Sequence, residues 1–178
     1  MTETRCSWAG SDEIYIKYHD EEWGIPTHDD EELFEMLVLE SFQAGLSWIT
    51  ILKKRENFKK AFDDFDVEKV ANYDENKVNA LLENEGIIRH KGKIASAINN
   101  ANIFIEIQKE FGSFDSYIWS FTDGEIIKAE YLTESDLSKN ISKDLKKRGM
   151  KFVGPTIIYS YLESIGIIDN HQEDCFKF

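Results

Sequence analysis

Leu81-Leu82-Glu83-Asn84-Glu85-Gly86-Ile87-Ile88-Arg89-His90-Lys91-Gly92-Lys93-Ile94 reads as a helix, a tight glycine turn and a second helix. Before it, Glu75 to Asn84 carries a helical pattern. After it, a long pattern runs from about Lys91 to Phe111, with Ile94, Ile98, Ala101 and Ile105 as its apolar stripe. The turn stands just before a helix N-terminus, where exposed backbone N–H groups can hold a phosphate without reading sequence. Arg89, Lys91 and Lys93 add positive charge. A lone Gly86-Ile87 pair is more often an ordinary helix–helix connection, so the reading depends on what surrounds it.

Outward from this hairpin the periodicity stays helical. Segments are expected at about Glu13 to Glu22, Asp29 to Ala44, Trp48 to Asp63 and Val67 to Tyr73, with a short apolar helix from Phe114 to Phe121. Thr122 to Tyr131 contains Asp123-Gly124 and reads as a turn or small hairpin. Thr133 and Asp136 resemble a capping box ahead of Leu137, Ile141 and Leu145, and Gly149 is a plausible helix stop. Pro155 fits the first turn of a last helix with Ile158, Tyr161 and Leu162. The class is all-α, with at most a minor strand pair.

The length of 178 residues suits one domain spanning 1–178, built from two helical lobes. Hydrophobic residues at 42% and charged residues at 31% exclude a disordered, fibrous or membrane chain. No apolar run is long enough to span a bilayer, and Met1 to Ser11 lacks the apolar region of a signal peptide, so the cytoplasm is the expected compartment. The net charge of −13 by itself argues against nucleic acid. The charge is segregated, however. Basic runs at Lys53-Lys54-Arg55, Arg89 to Lys93 and Lys146-Lys147-Arg148 permit one basic face on an acidic protein.

One carboxylate stands out. Leu33, Met36, Leu37 and Ala44 form an apolar stripe, and Glu40 occupies a position where the period demands a core residue. A buried carboxylate must be paired, hydrogen-bonded or protonated. On pattern alone, a structurally satisfied glutamate and a functional one are equally good readings. Aromatics shift the balance. Trp8, Trp23 and Trp48 lie early in the chain, and Tyr15 and Tyr18 share a helix face. Clustered aromatics usually mean core packing. Around a buried anion they also make a receptor for a flat cation, such as a flipped alkylated purine.

Cys6 and His19 near one end, and His171 and Cys175 near the other, are compatible with a Cys2His2 metal site. The plainer reading is two buried thiols with surface histidines. Four protein ligands would leave no open position, so such a zinc would be structural and would pin the termini together. His28 and His90 read as surface residues.

Longer segments carry a resemblance. They are Tyr15-Ile16-Lys17-Tyr18-His19-Asp20-Glu21-Glu22-Trp23-Gly24, Leu33-Phe34-Glu35-Met36, Gln43-Ala44-Gly45-Leu46-Ser47-Trp48-Ile49-Thr50 and Leu52-Lys53-Lys54-Arg55-Glu56-Asn57. Further on come Gly86-Ile87-Ile88-Arg89-His90, Trp119-Ser120-Phe121 and Lys146-Lys147-Arg148-Gly149-Met150-Lys151-Phe152-Val153-Gly154. In these the chain resembles the constitutive bacterial 3-methyladenine DNA glycosylase I family over almost its whole length.

The resemblance implies a helix-hairpin-helix glycosylase fold with one structural zinc on Cys6, His19, His171 and Cys175. It implies that Glu40 recognises the base inside a pocket of Trp8, Tyr15, Tyr18, Trp23 and Trp48. The loop with Gln43, Gly45 and Leu46 would probe the gap left in the duplex, and Gly86, Arg89, Lys91 and Lys93 would hold the DNA backbone. The implied reaction is hydrolytic excision of 3-methyladenine from alkylated double-stranded DNA by a monomer that needs neither a membrane nor an obligate protein partner. Two features depart from the family pattern: Ser41-Phe42 follows Glu40 where small or amide residues are expected, and no Gly/Pro-rich segment carries a catalytic aspartate, Asp115 included. A non-enzymatic binder of alkylated DNA and a zinc hydrolase of small molecules are the competing readings.

Overall fold

The computed structural model describes residues 3–128 and 132–178. Tyr131, the end of the expected turn or hairpin, lies outside the described residues. Among those described, the chain forms α1 (Glu13–Glu21), α2 (Asp30–Gln43), α3 (Trp48–Ala61), α4 (Val67–Ala71), α5 (Glu75–Glu83), α6 (Lys91–Phe111), α7 (Phe114–Ser120), α8 (Asp136–Lys147) and α9 (Pro155–Ser164). Short 3-10 turns cover Ser7–Ala9 and Asp63–Phe65, and two-residue strands β1 (Ile127–Lys128) and β2 (Ile168–Asp169) complete the order. Among the described residues, no helix is long and apolar enough to cross a membrane.

Local chemistry fixes the helix starts. The side chains of Asp12, Asp29, Asp66 and Asp74 each accept a backbone N–H in the first turn that follows, which satisfies donors the helix cannot. Pro155 opens α9, where its missing N–H costs nothing. The expected capping box is displaced. Ser135 is the cap of α8, its hydroxyl accepting from Ser138 N–H while the Ser138 hydroxyl accepts from Ser135 N–H. Asp136 is already helical, so the Thr133–Asp136 reading is corrected. Of the turn or small hairpin expected over Thr122 to Tyr131, the turn is found. Asp123 and Gly124 do turn, at φ +53° and +78°, but β1 pairs in parallel with the distant β2, Ile127 opposite Ile168.

Helix α2 is the axis of the molecule. Every residue from Leu33 to Phe42 is buried, so it is covered on all sides. Tyr161 of α9 donates its hydroxyl to the Leu33 carbonyl at 2.8 Å. Asp30 leaves its own helix to accept Gln108 Nε2 and the backbone N–H groups of Phe114 and Asp115, which docks the start of α7. Arg55 of α3 donates to Glu35 on α2 and to Glu22 just past α1. These ties hold α1, α2, α3 and α9 around one cavity.

The Ser41-Phe42 departure has a packing explanation. The Phe42 ring lies 4.9 Å from Phe58 and 5.9 Å from Phe62, wholly buried. Ser41 Oγ donates back to the Leu37 carbonyl at 2.8 Å and also lies 3.2 Å from the Phe152 carbonyl. Both residues serve the core behind the cavity rather than its mouth.

Candidate active site

The 3-10 turn supplies Trp8, α1 supplies Tyr15 and Tyr18, and Trp23 follows α1. Glu40 and Gln43 lie three apart at the end of α2, so they share a face, and Trp48 opens α3. All seven line one cavity of about 190 Å³, with Ser160 and Glu163 of α9. Trp8 stands 5.1 Å from Tyr15, 4.8 Å from Trp23 and 6.4 Å from Tyr18, and Tyr18 stands 5.5 Å from Trp48. Trp8 and Trp23 meet edge-on at 74° and the other pairs are tilted at 55° to 58°, contacts worth a further ~0.5–1.5 kcal/mol per pair.

Glu40 is 3% exposed, and its Oε2 has no hydrogen-bond partner among the described residues. Burial, and then the charge of Glu163, push its carboxyl well above the usual range. Trp48 Nε1 is a second buried polar atom without a partner. No lysine, arginine or histidine lines the cavity. An aromatic cavity with carboxylates and no counter-charge is built to receive a cation with hydrogen-bond donors.

Sequence reasoning missed Ser160 and Glu163. Both follow the apolar stripe of the last helix closely, and an acidic residue beside Tyr161 and Leu162 was the available signal. Burial pushes the Glu163 carboxyl up to about 7, opposed by a hydrogen bond from Asn170 Nδ2 to its Oε2 at 3.2 Å.

The loop after α2 joins two residues of the cavity wall, Gln43 and Trp48. Gly45 adopts φ +79°, a left-handed conformation that glycine reaches without penalty, and Leu46 beside it is 38% exposed. In the α5–α6 turn, Arg89 and Lys91 are exposed and enter no ion pair among the described residues. The Gly86 N–H is taken by Asn84 Oδ1 at 2.8 Å. His90 is the cap of α6, its Nδ1 accepting from Lys93 N–H at 3.0 Å.

Lys93 requires a correction. It is 6% exposed, and its ammonium donates to the Phe42 and Ala44 carbonyls at 2.8 and 2.6 Å. It therefore completes the C-terminus of α2 and does not face a DNA backbone. Lys93→Met is expected to destabilise the fold by about 2–3 kcal/mol, because charge-assisted bonds to buried carbonyls are lost. Urea denaturation checks this. A variant of unchanged stability with weakened DNA affinity would restore Lys93 to the DNA surface. The other basic runs are also partly spent inside the protein, Arg55 on Glu22 and Glu35 and Arg148 on Asp144 and Glu110.

Next to the aromatic cavity, one ligand atom each from Cys6, His19 and Cys175 lie within 4.8 Å of one another, all buried. His171 is not in that set, but its ring stands 5.4 Å from that of His19. Both histidines turn Nδ1 to a carboxylate, Asp20 and Asp169, at 2.7 Å. This turns Nε2 of each away from the carboxylates: that of His19 lies 3.4 Å from Cys6 N–H and 3.5 Å from Cys175 Sγ, and that of His171 is buried without a partner among the described residues. Backbone N–H groups of Gln172 and Lys177 point at the two sulfurs at 3.3 and 3.4 Å. Trp8 packs on His19 at 5.2 Å and Trp23 on His171 at 4.8 Å, so the two sites share walls.

Comparison with known proteins agrees with this geometry. The family described as methyladenine glycosylase matches residues 8–178. DNA-3-methyladenine glycosylase of Haemophilus influenzae is 43% identical, over 97% of this chain and 96% of that one. DNA-3-methyladenine glycosylase 1 of Escherichia coli K12 is 45% identical, over 96% of this chain and 95% of that one. A variant of 3-methyladenine DNA glycosylase I, solved in complex with 3-methyladenine, superposes with a TM-score of 0.93 at 38% identity, covering 97% of this chain and 96% of that one. With a cavity of this make-up and matches of this extent, the chain belongs to the methyladenine glycosylase family.

Proposed function

We propose that the protein is a DNA-3-methyladenine glycosylase that hydrolyses the N-glycosidic bond of 3-methyladenine in alkylated DNA and leaves an abasic site. The observation that carries this is Glu40, a buried carboxylate with an unpartnered oxygen in an aromatic cavity free of basic side chains. Adenine alkylated at N3 within DNA is cationic, and its glycosidic bond is already weakened. The base departs neutral, so selection and placement account for much of the catalysis. Glu40 accepts hydrogen bonds from the base edge, and the aromatic walls hold its faces. Water attacks the sugar carbon. No lysine lines the cavity, and Lys93 is engaged by two carbonyls, which favours direct hydrolysis over a covalent imine.

In this reading Leu46, on the turn made by Gly45 and flanked by Gln43, fills the space that the flipped base vacates. The α5–α6 connection is a helix-hairpin-helix clamp on the DNA backbone, with Gly86, Arg89 and Lys91 at the phosphates. Cys6, His19, His171 and Cys175 hold one zinc. Two thiols and two imidazoles suit that ion, and the partnerless His171 Nε2 supports a fourth ligand there. When bound, zinc supplies a cross-link between the ends of the chain and no chemistry at the base. The chain is one domain of two lobes, with both terminal segments in one, and acts as a monomer on DNA in the cytoplasm.

Chromatography of bases released from methylated DNA tests the activity. Free 3-methyladenine is expected. Binding of alkylated DNA without release would instead favour the non-enzymatic reading.

A further inference from the structure

We propose that Glu163 is a specificity-determining carboxylate of the cavity, which selects the alkylated base by its positive charge while Glu40 reads its edge. This rests on the excision reading above.

Glu163 lines the cavity from α9, and Glu40 lines it from α2. Two carboxylates thus line one small cavity, open on one side, with no basic residue on its walls among the described residues. Two acidic groups that interact across one low-dielectric cavity oppose folding, whether ionised or held protonated, so the arrangement needs a return. A purely structural role does not supply one. The hydrogen bond that Glu163 makes is to Asn170 Nδ2, and a glutamine carbonyl would accept it as well, without the charge. The position is also firmly held. The Glu163 carbonyl accepts from Gly24 N–H at 3.0 Å and Gly166 N–H at 3.3 Å, and Asn170 is buried directly after the paired strand β2. A firmly held, half-buried carboxylate with no cation beside it on the cavity wall is what electrostatic selection of a cation requires. Normal adenine is neutral and would be offered the same shape without the charge attraction.

The test is calorimetric titration with two small ligands at about pH 8, above the ordinary carboxylate range. One is adenine methylated at N3 and N9, a cation. The other is its neutral isostere, with a methyl-bearing carbon in place of N3. Glu163→Gln is expected to reduce the preference for the cation by at least roughly fivefold, with neutral-ligand affinity unchanged. Glu163→Asp, which keeps the charge, is expected to hold the preference within about twofold. An unchanged preference in Glu163→Gln, equal losses for both ligands, or a loss in Glu163→Asp matching that in Glu163→Gln would each overturn the proposal. Base release by the wild-type protein is read in parallel. Its absence overturns the excision reading, whereas a surviving charge preference overturns only the role of Glu163.

Discussion

Glu40→Gln is expected to lower 3-methyladenine release by roughly 100- to 1000-fold, the cost of replacing a carboxyl that ionises against a bound cation by an amide that cannot. The same variant is expected to be more stable than the wild type at neutral pH. Burial holds the Glu40 carboxyl well above its usual value of 4.5. Between that value and the higher folded one, the folded chain keeps a proton that the unfolded chain has released. Stability therefore falls as pH rises through this window, and glutamine removes the fall. The melting temperatures of the two proteins should converge as pH drops toward 4.5 and separate above it, with the variant higher. Chromatographic base release and thermal denaturation across pH check both halves. A variant that keeps its activity would remove Glu40 from base recognition. A variant that loses activity and stability together would make it a structural glutamate.

Such opposition between activity and stability explains why Glu40 was legible in the sequence at all. A carboxylate on an otherwise apolar helical stripe breaks the pattern that folding alone would select. The aromatics of the cavity were legible for a different reason, since they cluster in a short stretch of chain. Glu163 was not, because its significance comes from α9 crossing α2, and no local period encodes that crossing. Lys93 shows the reverse failure. Within Arg89 to Lys93 the residue types are alike, but only Lys93 lies on the inward face of α6, three residues after the cap, where the end of α2 meets it. The parallel pairing of β1 with β2 was likewise hidden, being a tertiary contact between two-residue segments. Helix starts near Glu13, Asp29 and Glu75 were readable because what fixes them, the caps at Asp12, Asp29 and Asp74, is local.

The metal group yields the second large effect. Cys175→Ser, or exposure of the wild type to a strong chelator, is expected to remove the proposed zinc and to lower stability by several kcal/mol, since metal affinity is expressed as folding free energy. Apart from the candidate ligands, the ends of the chain meet through a few polar contacts, among them Gln172 Nε2 donating to Ser7 Oγ at 2.9 Å. Phe176 N–H donates to the Thr4 carbonyl at 2.8 Å, and Ser7 N–H to Gln172 Oε1 at 2.7 Å. Burial pushes the Cys6 thiol up to about 11, so a metal must displace its proton, and retention should weaken as pH falls. Activity should decline after stability rather than with it. Trp8 and Trp23 rest on the rings of His19 and His171, so loss of the metal loosens two cavity walls while leaving Glu40 on its helix. Zinc content by elemental analysis, urea denaturation and the kcat and KM for base release separate these steps. Loss of zinc should raise KM before it lowers kcat, because the walls bind the base and do not touch the sugar carbon. If Cys175→Ser retains the metal, the ligand set is wrong, and if zinc loss stops base release while the fold survives intact, the metal acts in the chemistry rather than beside it.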